Sequence, residues 1–151
     1  MDVRSEARAI LDLFGGDFPR AIELVHRQMD VLHSRAQVLT GLAGIVVTVT
    51  GFSGRLIAAT NRPAQVLVIA GLAVVLVSAF YIVCRVMQIR WVTAELGGDP
   101  VETITRVLIR RDAKTAAIRR GGIILFSGLV LYFVAFALML LNPEPLAVPV
   151  R

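Results

Sequence analysis

Polar and apolar positions along the chain follow two regimes. Three stretches carry no Asp, Glu, Lys or Arg: Ala36 to Gly54, Pro63 to Cys84 and Gly121 to Pro143. Each is about 19–23 residues long, the length a helix rising ~1.5 Å per residue needs to cross a hydrocarbon layer of roughly 30 Å. Lipid offers the backbone no hydrogen-bond partner, so these stretches predict three membrane helices. Outside them the pattern is amphipathic. Ser5 to Phe14 reads as a short helix with Ala9, Ile10, Leu13 and Phe14 on one side, ended by Gly15-Gly16. Asp17-Phe18-Pro19 then starts a second helix. From there Phe18, Ile22, Val25, Met29, Leu32, Ala36 and Leu39 recur in steps of four and three, an apolar seam of heptad type. No Gly or Pro interrupts it before the first span, which predicts one helix continuous from arm to membrane.

The arrangement repeats after the second span. Leu96 precedes Gly97-Gly98-Asp99-Pro100, and Asp99 with Glu102 has capping-box spacing ahead of Val101, Ile104 and Leu108. That helix is expected to run through Arg110, Arg111, Lys114, Arg119 and Arg120 into the third span, and to be the partner of the first arm. The expected fold is all-α: an integral membrane helical bundle with three transmembrane helices and cytoplasmic amphipathic helical extensions. Its parts are cytoplasmic helices over 1–35, transmembrane helix 1 with an outer loop over 36–62, transmembrane helix 2 over 63–91, a basic cytoplasmic helix over 92–120, transmembrane helix 3 over 121–142 and a Pro-rich outer tail over 143–151.

Composition agrees. Hydrophobic residues make up 56% and charged residues 18% of the 151 positions, too few charges for a soluble domain to cover its apolar surface. Disorder, a disulfide scaffold and a collagen-like fibre are excluded. The net charge of +5 reflects topology rather than nucleic-acid binding. Thirteen of the sixteen basic residues flank the spans on the side of the amino-terminal arm and the long connection, while Arg55, Arg62 and Arg151 are the other three. Under the positive-inside rule the amino terminus is cytoplasmic and the carboxyl terminus outside, in a bacterial inner membrane whose anionic lipids line the cytoplasmic face. Tyr81 and Trp91 flank the inner end of span two, where Arg85 can snorkel. The first 35 residues are charged throughout and do not read as a signal peptide. Cys84, the single cysteine, forms no internal disulfide.

Catalytic chemistry is not expected, nor is a cofactor or a metal. His26, Asp30 and His33 share a helical face whose spacing could hold a metal or a pH-responsive pair, but the plainer reading, which is preferred, is a solvated polar face opposite the apolar seam with Glu23–Arg27 as an i,i+4 pair. No phosphate loop, nucleophile elbow or paired-carboxylate pattern occurs. The informative feature is a stripe on span one. Ser34, Gln37, Gly41, Gly44, Thr48 and Gly51, leading to Arg55, recur at three- and four-residue steps. Small residues let helix backbones approach closely in lipid. The plainer expectation buries this stripe inside the subunit, against spans two and three, which offer Gly71, Ser78, Gly121, Gly128 and Ala135. The sharper one places it at a homo-oligomer interface or along a pore. No ionisable residue lies at mid-membrane, which argues against an ion-coupled transporter.

The stretch His33-Ser34-Arg35-Ala36-Gln37-Val38-Leu39-Thr40-Gly41-Leu42-Ala43-Gly44 resembles the entry to the first span in the transmembrane effectors of bacterial Pycsar anti-phage defence. Their pattern is Asp-x-Lys-Ala-x-x-Leu-Leu-x-x-x-Gly. Arg35, Ala36, Leu39 and Gly44 match in kind, and His33 stands at the acidic position. The layout is similar from Asp17 to Leu141. The resemblance implies an antiviral effector that damages the membrane on sensing a cyclic pyrimidine nucleotide. The expected function is therefore a self-associating multi-pass membrane protein, with permeabilisation triggered by a nucleotide or protein signal at its cytoplasmic arms. The alternative is a non-catalytic scaffold or accessory subunit that binds a partner protein or anionic lipid.

Overall fold

A computed structural model describes residues 2–58, 60–86 and 99–141. The described residues form helices α1 (Val3–Leu13), α2 (Phe18–Phe52), α3 (Gly54–Ala58), α4 (Arg62–Val86) and α5 (Pro100–Leu141), with no strand among them. Three of these, α2, α4 and α5, are long and apolar enough to cross a membrane. Trp91, Leu96, Gly97, Gly98 and the tail from Asn142 lie outside the described residues. Contacts divide the chain into a charged unit, Met1–Gln37 with Ile82–Arg119, and an apolar unit, Val38–Tyr81 with Arg120–Arg151. The division falls beside Ala36, Cys84 and Gly121, where the charge-free stretches begin or end.

Local chemistry explains the boundaries in the charged unit. Gly15 and Gly16 have φ of 61° and 86°, left-handed values that side chains resist and that let the Gly16 amide reach back to the Leu11 carbonyl at 2.9 Å. Asp17 caps α2 by accepting from the Arg20 amide at 3.3 Å. Asp99 caps the helix by accepting from the Val101 amide at 3.3 Å, but Glu102 turns to Arg106 at 3.6 Å rather than back to the cap, so the cap forms without the reciprocal capping box. The core joins Ala7 of α1, Ala21 and Val25 of α2, and Ile104, Val107 and Leu108 of α5, so the two arms are partners. The buried face of α1 departs from expectation. Val3, Ala7, Ile10, Leu11 and Phe14 pack inward, whereas Leu13 is 74% exposed and Ala9 is exposed too. The helix begins two residues earlier than predicted, which lets Val3 and Ala7 complete a three-and-four-step face.

The apolar unit inverts the usual partition. Large side chains face out: Phe80, Phe126 and Phe133 are 72%, 69% and 69% exposed. Small and hydroxylated residues are inside, Ser78 and Ala135 fully buried. Such an apolar exterior does not stand in water. In lipid it is already solvated, and the helices hold together by close packing.

Candidate functional site

The apolar unit is built on a close approach of α4 and α5. Gly71 and Gly128 face each other, and a Cβ placed on Gly71 would lie 3.0 Å from the Gly128 carbonyl oxygen. One heptad along, the Ser78 hydroxyl donates to the Gly121 carbonyl at 2.6 Å. Seven residues up one helix correspond to seven down the other, the register of an antiparallel pair. The same register sets Ala64 opposite Ala135, both fully buried. Along α4 the buried positions Ala64, Val68, Gly71, Val75, Ser78 and Ile82 alternate small with branched in steps of four and three, a coiled-coil seam narrowed by small residues. The sequence expectation offered Gly71, Ser78, Gly121, Gly128 and Ala135 to span one. The structure uses them for each other.

Helix α2 packs against this pair with bulkier residues. Ala43 is buried with Val75 and Leu125, and Leu39, Val46, Ala79 and Leu129 surround them. Thr50 donates to the Val46 carbonyl at 2.7 Å, and its oxygen lies 3.3 Å from the Tyr132 hydroxyl. All seven predicted seam residues, Phe18, Ile22, Val25, Met29, Leu32, Ala36 and Leu39, are buried or half-buried. The seam then continues through Ala43, Val46 and Thr50 with no change of step, so one periodicity spans both units.

The stripe residues stand one to two positions ahead of that seam, about 100–200° around the helix at ~100° per residue. Ser34, Gln37, Gly41, Gly44, Thr48 and Gly51 are all exposed. A Cβ on Gly41, Gly44 or Gly51 would meet nothing within 4 Å. This corrects the expectation that the stripe is buried against spans two and three. A row of glycines beside Val75 and Leu125 would leave voids, and Leu39, Ala43 and Val46 fill that space instead. Thr48 satisfies its own hydroxyl at the Gly44 carbonyl, 2.9 Å away. Helix α2 thus carries two parallel faces of the same period, one packed within the chain and one open.

The charged unit holds a constellation the sequence pattern did not reveal. Arg111 of α5 donates to both Glu6 carboxylate oxygens of α1, at 2.8 and 3.3 Å, and to Gln28 Oε1 of α2 at 3.0 Å. Its Nε also reaches Asp112 at 2.9 Å. The Glu6 hydrogen bond is the chief cause holding the guanidinium above its ordinary pKa, with burial opposing. Glu6 and Arg111 lie 105 residues apart, so no local spacing signals the pair. Burial, and then the charge of Arg110, push the Lys114 ammonium down.

Other candidates resolve into structure. His33 Nδ1 lies 3.0 Å from the Met29 carbonyl, and no three metal-ligating side chains converge among the described residues. Glu23 and Arg27 pair at 2.8 Å, as expected. An open cavity of ≈ 260 Å³ lined by Phe14, Arg20, Glu23, Leu24 and Arg27 has both arginines already paired, Arg20 with Asp17 at 3.3 Å. Comparison with protein-family models, curated proteins and solved structures finds no match for the chain.

Proposed function

We propose that the chain is a small multi-pass inner-membrane protein that self-associates through the open face of α2. In this reading its arms lie in the cytoplasm and its carboxyl terminus outside, as the distribution of Lys and Arg favours. One observation carries the self-association: a second face with a 3.5-residue period, rich in glycine, where a Cβ on Gly41, Gly44 or Gly51 would meet nothing within 4 Å among the described residues. A glycine row in lipid lets a second backbone approach closely. The polar members of the row, Gln37 and Thr48, would then lie at the subunit contact.

Assembly is the step that alters permeability in this reading, because the close α4–α5 contact leaves no passage between those two helices. The arms receive the trigger, a nucleotide or protein signal, and α2 carries it because one unbroken helix holds both seams. Crosslinking of the full chain in detergent and dye release from proteoliposomes test the proposal together. Wild type should crosslink as an oligomer and release dye, and Gly44→Leu or Gly51→Leu should abolish both while leaving the fold intact. A strictly monomeric wild-type chain overturns it. Oligomers that never release dye favour the alternative, a non-catalytic scaffold.

A further inference from the structure

Charges in this chain are segregated by pairing as well as by side. Ion pairs among the described residues join acids at or before Asp112: Glu6 and Asp112 with Arg111, Asp17 with Arg20, Glu23 with Arg27, and Glu102 with Arg106. The chain then has no acidic residue between Asp30 and Glu95, nor between Asp112 and Glu144. Those two intervals contain all three apolar stretches and the basic residues at their arm-side ends. Arg35 immediately precedes the first stretch, Arg85 immediately follows the second, and Arg119 and Arg120 immediately precede the third. All four are exposed, and none has an ion pair among the described residues.

We infer that Arg35, Arg85, Arg119 and Arg120 form a headgroup-binding band for anionic phospholipid, with the phosphodiester as the recognised group. The argument is charge complementarity at a fixed depth. Each arginine sits within two residues of the end of an uncharged stretch, the level of lipid phosphates, and none is paired with a carboxylate among the described residues. The side-chain chemistry fits. Lys114 is the sole lysine among sixteen basic residues, and a guanidinium fork grips two phosphate oxygens where an ammonium acts as a point charge. In the arms, by contrast, Arg20, Arg27, Arg106 and Arg111 are each paired with a carboxylate. The inference depends on the membrane placement of the three helices and their orientation, and not on self-association.

The test uses the full chain, delipidated in a neutral detergent and titrated separately with phosphatidylglycerol, phosphatidylcholine and inorganic phosphate, with bound molecules counted by native mass spectrometry. Phosphatidylglycerol should be retained at least tenfold better than phosphatidylcholine. Combining Arg35→Gln, Arg119→Gln and Arg120→Gln should reduce that preference by about fivefold for each charge removed, the strength of a basic residue near an anionic surface. The corresponding Lys substitutions should keep most of it. Arg20→Gln with Arg27→Gln, which removes two arginines already paired with acids, should leave it unchanged. Equal retention of both lipids, or an unaffected triple variant, overturns the inference. Displacement of lipid by inorganic phosphate at equal concentration also overturns it, by assigning the band to a free anion. The same spectra report subunit number, so loss of lipid preference and loss of self-association are read separately.

Discussion

Adding one methyl group to two glycines should have opposite effects on the fold. At Gly128 a Cβ would lie 2.9 Å from Val75 Cγ2 and 3.0 Å from both the Gly71 carbonyl oxygen and the Val75 amide nitrogen. Two of those three are backbone atoms of a packed helix, so α4 and α5 must separate. Overpacking of this kind costs about 1–3 kcal/mol, offset by up to ~1 kcal/mol because alanine favours the helix over glycine. Gly128→Ala should therefore lose about 1–2 kcal/mol. At Gly44 nothing lies within 4 Å of the added carbon, so only the helix preference remains and Gly44→Ala should gain up to ~1 kcal/mol. The single cysteine provides the assay: half-buried Cys84 becomes reactive to a fluorogenic thiol reagent on unfolding. Measured in detergent at a dilution where the chain is monomeric, the two variants should differ in Tm by about 2–12 °C, at roughly 2–4 °C per kcal/mol for a chain this long. If Gly44→Ala melts as early as Gly128→Ala, the glycine face of α2 is packed within the chain and the assignment of its two faces fails.

Ser78→Ala removes a fully buried hydroxyl that donates to the Gly121 carbonyl, and should cost about 0.6–1.7 kcal/mol in the same assay. Glu6→Gln weakens the bidentate grip of Arg111, a loss of about 1–3 kcal/mol for charge-assisted bonds. Its signature should be faster hydrogen exchange confined to Val3–Leu13, and unchanged exchange there would refute the role of the pair. Lys114 titrates below its ordinary value in the folded chain, so between that lowered value and the ordinary one the unfolded chain binds more protons. Stability should rise with pH across that alkaline window, and Lys114→Gln should abolish Lys114's contribution to the slope.

Much of the architecture was legible because lipid imposes a simple constraint on charge. The ends of the uncharged stretches lie close to the points where the chain divides by contact, and the seam from Phe18 to Leu39 faces inward at every position. The orientation of the stripe was not legible. Two faces of α2 share one period, and periodicity cannot say which of them a neighbour fills. Volume decides it, since Val75 and Leu125 need Leu39, Ala43 and Val46 beside them. The signal that could have assigned the glycines correctly was the spacing of Ala64, Gly71 and Ser78, matched by Gly121, Gly128 and Ala135, seven apart on both helices. The Glu6–Arg111 pair had no signal at all, because it depends on three helices meeting.

The unbroken three-and-four step from Phe18 to Thr50 has a consequence for how this protein can change over evolutionary time. Inserting one residue near Gln37 would rotate everything beyond it by about 100°, turning Ala43 and Val46 out of their pocket and Leu42 and Ile45 into it. Seven inserted residues would bring every position back nearly into phase, lengthening the rod by roughly 10 Å. The helix can therefore be extended or trimmed only in whole heptads, and its length is set by phase before it is set by distance.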